Sequence, residues 1–104
     1  KAADQGHADA QNRIGDIYFN GEGVAHDPTM AIQWYRKAAD QGHANAQANL
    51  GNRYFNGEGV ARDRKKTAMW FRRAADQGLA TAQFNLGAMY REGDGVAQDY
   101  NESA

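Results

Sequence analysis

The chain of 104 residues has no cysteine, one proline and one serine. It also has no apolar run approaching the twenty or so residues that a bilayer crossing needs. Without cysteine there is no disulfide framework and no thiolate metal site. The one serine, Ser103, stands next to the last residue, where neither a base nor an orienting group is held beside it, so acyl transfer has almost no raw material. Net charge is nearly absent as well. Twelve Lys and Arg against thirteen Asp and Glu give −1, which leaves no overall field to attract nucleic acid or an anionic membrane. Bulk is scarce too, since 20 of the hydrophobic residues are alanine and the mean hydropathy is −0.86. That balance points to close-packed helices with shallow seams rather than one bulky core. The opening Lys1-Ala2-Ala3, with no charged-then-apolar leader, points to a piece of a longer chain.

What the chain does have is a period. The segment beginning Ala2-Ala3-Asp4-Gln5-Gly6 recurs from Ala38 and from Ala74, each step being 36 residues, and 21 of 36 positions agree between the first two copies. A fixed period of this length is the mark of a tandem array of supersecondary units. The whole of 1–104 reads as one array, with units 2–37, 38–73 and 74–104, the last truncated in its second helix.

Within a unit, Ala8, Gln11, Ile14, Gly15 and Tyr18 recur at steps of three and four and predict a helix A from about His7 to Phe19. Ala31, Trp34, Tyr35 and Ala38 predict a helix B from about Pro28 to Asp40, with Asp27 as N-cap and Pro28 at the first helical position. Gly21 and Gly23 in the connecting loop, and Gly42 and Gly78 after helix B, fit turns that need positive φ. Mid-helix Gly15, Gly51 and Gly87 each sacrifice about 1 kcal/mol of helix propensity, which a close-approaching neighbour explains. Tyr18, Tyr54 and Tyr90 read as seam-filling rings with hydroxyls reaching a polar loop, and Val24, Val60 and Val96 as residues that tuck back to seal the helix pair.

These residues resemble a known family. Ile14-Gly15-x-x-Tyr18, its copies at Leu50 and Leu86, and Ala31-x-x-x-Tyr35-x-x-Ala38 are similar to the tetratricopeptide pattern, but Tyr18 and Ala31 are 13 residues apart where that pattern has nine. The longer spacing, together with Gly21-Glu22-Gly23-Val24-Ala25-His26-Asp27, resembles the Sel-one-like repeat. The resemblance covers the chain and implies an all-α, right-handed α/α solenoid of 36-residue helix-turn-helix repeats. It implies a non-catalytic scaffold or adaptor that gathers protein partners, with no catalytic residue, cofactor or metal. A cysteine-rich branch of the family is linked to β-lactam binding, and this cysteine-free chain departs from it.

Other chemistry fits less well. The glycine loops lack the strand before them and the Gly-Lys-Ser/Thr after them that a phosphate cradle needs, and Glu22, Glu58 and Asp94 place negative charge within them. His7 and His43 stand one period apart, about 10 Å in packed helices, too far to share a metal ion, and Leu79 takes the third position. They read as turn residues at the start of helix A. Asp27, Asp63 and Asp99 read as caps, with Glu102 completing a capping box after Asp99. Arg62, Arg64, Lys65, Lys66, Arg72 and Arg73 read as a solvated outer face, which leaves nucleic acid a minor alternative. An enzyme, a small-ligand binder and a plain structural spacer remain as other function classes.

In tetratricopeptide-like arrays the first helix of each unit lines the concave face, which is where the resemblance places the binding surface. In the first unit that row is Asp9, Asn12, Asp16 and Phe19. In the second it is Asn45, Asn52 and Phe55, with Ala48 between, and in the third Thr81, Phe84 and Arg91, with Ala88. Asparagine carries both donor and acceptor and can pair with a peptide main chain whatever its sequence, while phenylalanine adds apolar contact. Phe19, Phe55 and Phe84 could equally seal the end of helix A. The expected partner is a protein or peptide. Because neither end of the array is a polar cap, Leu86, Met89 and Tyr90 are expected to lack part of their covering, with self-association through the open ends as a consequence.

Overall fold

The computed structural model describes residues 2–92, and among these it contains five helices and no strand: α1 (Ala2–Asn20), α2 (Pro28–Asp40), α3 (Ala44–Asn56), α4 (Arg64–Asp76) and α5 (Ala80–Glu92). Each helix packs on the next in chain order, α1 on α2, α2 on α3, and so on to α5, so every helix pair leans on its neighbour and the whole is an α-solenoid. The predicted helix B is matched residue for residue by α2.

The punctuation explains the boundaries. Asp27 and Asp63 cap α2 and α4, each accepting from the backbone N–H three residues on at 3.0 Å. Capping of this kind satisfies an otherwise orphaned donor and is worth about 1 kcal/mol. At the other end, Gly42 and Gly78 take φ of 89° and 91°, and His43 and Leu79 donate back to the carbonyls of Ala38 and Ala74. The long loop also returns to its own helix, since Asp27 N–H donates to Tyr18 O and Asp63 N–H to Tyr54 O. Glu22 and Glu58, the charges that argue against a phosphate cradle, accept instead from Asn20 and Asn56 at the ends of α1 and α3.

Gly15 and Gly51 are contact points, as their mid-helix position predicts. A β-carbon at Gly15 would lie 2.7 Å from the Tyr35 ring, and one at Gly51 2.7 Å from the Phe71 ring. Around them lie two apolar clusters. The first joins Ala8 of α1, Ala31, Ile32, Tyr35 and Ala38 of α2, Ala46, Leu50 and Tyr54 of α3, and Trp70 of α4. The second joins Ala68, Phe71 and Ala74 of α4 to Ala82 and Met89 of α5. A glutamine ladder runs beside them, with Gln41 donating to Gln11, and Gln77 to Gln47 at 2.9 Å.

Several expectations need correction. Helix α1 begins at Ala2 and passes through Gly6 without the break seen at Gly42 and Gly78. His7 therefore lies inside α1, while His43 does sit at the start of α3. Val24 is exposed, whereas Val60 packs on the first cluster. The loop of the second copy lies against α2, where a β-carbon at Gly59 would meet Pro28 O at 2.5 Å, whereas one at Gly23 would meet no described atom within 4 Å. The Tyr54 hydroxyl accepts from Arg36 of α2 at 2.8 Å rather than reaching a loop. Met89 and Tyr90 are buried, because Met89 packs on α4 and Arg72 lies 5.3 Å from the Tyr90 ring; Leu86 is half-buried. Val96, Asp99 and Glu102 lie outside the described residues.

Candidate functional site

The exposed row of α1, α3 and α5 divides into two chemically different junctions. At the first, between α1 and α3, the side chains are engaged with one another. His43 Nδ1 accepts from Ala46 N–H at 3.1 Å and caps α3, and its Nε2 meets Asp9 at 2.5 Å. Asn49 donates to Asn12 at 3.0 Å, and the Tyr35 hydroxyl donates to Asp16 at 2.5 Å. Phe19 is half-buried on the first apolar cluster, with the Arg53 guanidinium 3.9 Å over its ring and the His26 edge against it. Arg53 is itself held by Glu58 at 3.1 Å. Burial, with the Asp16 carboxylate beside it, pushes the Tyr35 phenol far above its usual range, and Arg53 offsets only part of this.

The second junction, between α3 and α5, is open. Asn52 and Phe55 from the row meet Asn85, Ala88, Met89 and Phe71 around a hollow of about 240 Å³. Asn52 and Asn85 make no hydrogen bond to a described residue, and Arg64 stacks 4.1 Å over Phe55. Asn45, Thr81 and Arg91 are exposed along the same helices. Phe84 is 72% exposed, an unusual position for a ring.

A second hollow, of about 470 Å³, opens beside α1 between Asp9, Asn12, Asp16 and Glu22 on one side and Arg13 and Ile17 on the other. One copy on, Asn49 and Arg53 occupy the positions of Arg13 and Ile17 and meet Asn12 and Phe19 of α1.

The row thus brings Asn52 and Phe55 together, keeps Asp9, Asn12, Asp16 and Phe19 occupied with neighbours, and leaves Asn45, Thr81, Phe84 and Arg91 at the surface. Sequence reasoning missed Asn85, Met89 and Phe71 as lining residues. The signal available was the alignment of copies, in which Asn85 succeeds Asn49, Met89 succeeds Arg53 and Phe71 succeeds Tyr35. The basic residues of α4 are less free than a solvated face implies, since Lys66 lies 5.4 Å from the Tyr54 ring and Arg73 4.8 Å from the Trp70 ring. No helix among the described residues is long and apolar enough to cross a membrane.

Comparison with known proteins agrees with this architecture. The Sel1 repeat family matches residues 8–43, 44–79 and 80–104. A Sel1 repeat protein from Oxalobacter formigenes superposes with a TM-score of 0.92 at 42% identity, over 92% of this chain and 40% of that one. The protein c5321, a protective antigen of uropathogenic Escherichia coli strains with an SLR fold, superposes with a TM-score of 0.91 at 46% identity, over 98% of this chain and 22% of that one. Helicobacter pylori cysteine rich protein B gives 0.70 at 29% identity, over 72% of this chain and 56% of that one. No curated protein matches. The chain spans less than half the length of the first two solved relatives. With the 36-residue period, the paired helices and the glycine contacts all in place, the chain belongs to the Sel1 repeat family.

Proposed function

We propose that the chain is a non-catalytic scaffold whose concave face, formed by α1, α3 and α5, binds a peptide or protein segment. Sel1 repeats generally serve as protein-interaction scaffolds. The observation that carries the reading to this face is the contrast between fixed and free positions. Stacking residues such as Leu50 and Ala82 are fully buried, while Asn45, Thr81 and Phe84 on the same helices face outward, and Asn52 and Phe55 border an open hollow. Asparagine and aromatic side chains together supply what a peptide main chain and its apolar side chains need.

Photo-cross-linking residues placed at Asn45 and, as a control, at Gln33 on α2 test the assignment. The Asn45 position is expected to cross-link to partner protein and the Gln33 position is not. Asn52→Arg combined with Phe84→Ala is expected to abolish capture while the helical circular dichroism spectrum is retained. Unchanged capture in that double variant overturns the assignment.

A further inference from the structure

Although the chain as a whole carries −1, its charge is sorted by helix. Helices α2 and α4 hold seven Lys and Arg against two carboxylates, Asp40 and Asp76. Three of those cations gather where the first two copies meet. Lys66, Trp70 and Arg73 share one face of α4 at steps of four and three, and Arg36 reaches it from α2. Arg36 donates to the Tyr54 hydroxyl at 2.8 Å and lies 5.7 Å from the Trp70 ring, Arg73 lies 4.8 Å from that ring, and Lys66 lies 5.4 Å from the Tyr54 ring. All three cations are exposed, and among the described residues none of them meets a carboxylate. A ring face offsets an exposed cation only weakly and leaves most of its N–H groups unspent. The ring that two of them cover is itself incomplete. Trp70 is 3% exposed, and its buried indole nitrogen has no hydrogen-bond partner among the described residues. A buried donor without an acceptor is costly and rare in a native fold. One copy earlier, Trp34 is half-buried and has Lys37 4.5 Å over its ring, without an arginine from another helix. The arrangement at Trp70 thus needs both copies.

We propose that this junction binds a phosphate group, with Arg36 and Arg73 gripping the oxyanion, the Trp70 indole N–H donating to it and Lys66 adding charge. Cations without a carboxylate call for negative charge, and the orphaned N–H calls for an acceptor. A phosphate supplies both, with more acceptor oxygens than a carboxylate and a charge of about −1.5 to −2 when carried on a side chain at neutral pH. Guanidinium groups suit it because their planar N–H edges pair with two oxygens at once. The indole nitrogen is closed to solvent in the free chain. The anion therefore enters as the two exposed guanidinium groups leave the ring and turn their edges toward it. Free phosphate and a phosphorylated side chain present the same chemistry here. The site stands on α2 and α4, so it does not depend on the reading of α1, α3 and α5 as a peptide-binding face.

The test is a nuclear magnetic resonance titration of the chain at fixed pH and ionic strength, read at the two tryptophan indole N–H signals. The ligands are inorganic phosphate, a blocked Gly-phosphoserine-Gly peptide and, as a control, acetate. Phosphate is expected to move the Trp70 signal downfield to saturation while Trp34 stays in place, with acetate binding about tenfold more weakly. Arg73→Gln, on an exposed side chain, is expected to weaken phosphate binding about tenfold, the usual worth of a charge-assisted hydrogen bond. Arg36→Lys, which keeps the charge and loses the fork, is expected to weaken it less, and Lys37→Gln, beside Trp34, to change nothing. A response to inorganic phosphate alone makes the free anion the ligand, a response to the peptide alone makes it a phosphorylated side chain, and either supports the site. Silence at Trp70 overturns it. So do equal movement of both indoles, acetate binding as tight as phosphate, or binding unchanged in Arg73→Gln.

Discussion

The Tyr35 hydroxyl donates to the Asp16 carboxylate, joining α2 to α1, whereas Phe71, one copy later, packs in the same way beside Gly51 and offers Asn52 nothing. That oxygen atom is one of the differences between the closed junction and the open one. Tyr35→Phe is expected to keep the ring packing, since Phe71 already does so, and to lose about 1–2 kcal/mol at neutral pH as a charge-assisted bond disappears. The alkaline limb gives a second readout. Burial, and next the Asp16 hydrogen bond and charge, raise the Tyr35 pKa in the folded chain. The unfolded chain therefore releases this proton first, and the stabilisation present below about pH 10 is lost as pH rises toward the folded value. Urea unfolding from pH 7 to 11 checks both parts, because the wild-type decline above pH 10 should be shallower in Tyr35→Phe.

Much of the architecture is legible in the sequence because it is set locally. Asp27-Pro28 determines where α2 starts, Gly42 determines where it stops, and the three-and-four spacing of Ala31, Trp34, Tyr35 and Ala38 determines what it buries. The exposed Val24 and the unbroken Gly6 were not legible, since the identical residues one copy later, Val60 and Gly42, are packed and at a turn. The open junction was hidden for a related reason. It consists of missing partners, and that Asn85 should look for a carboxamide at position 48 follows only from the three-dimensional offset between copies. Phe71 reads as core in the sequence and is core in the structure, yet one edge of it also forms a pocket wall.

Gly51 shows the cost of close approach. Placing Ala there would add about 1 kcal/mol of helix propensity, but its β-carbon would fall 2.7 Å from the Phe71 ring, which is 3% exposed and has little room to retreat. Overpacking of this kind costs about 1–3 kcal/mol, so Gly51→Ala is expected to be destabilising by chemical denaturation. Adding Phe71→Leu, which removes the obstructing ring, should make the Gly51→Ala change neutral or favourable. The four-variant cycle measures that coupling, and an additive result would refute the steric account.

His43 holds two partners that place different demands on its ring. Nδ1 must be unprotonated to accept from Ala46 N–H, so the neutral ring carries its hydrogen on Nε2, where it donates to Asp9. Nitrogen-15 shifts of the imidazole are expected to report the Nε2–H tautomer. His43→Ala should cost about 1 kcal/mol through the lost cap, and His43→Asn, which can cap but cannot reach Asp9 in the same way, should recover most of it. Asp9→Ala should leave the Ala46 amide protected from hydrogen exchange while His43→Ala does not, and equal protection in the two variants would refute the cap.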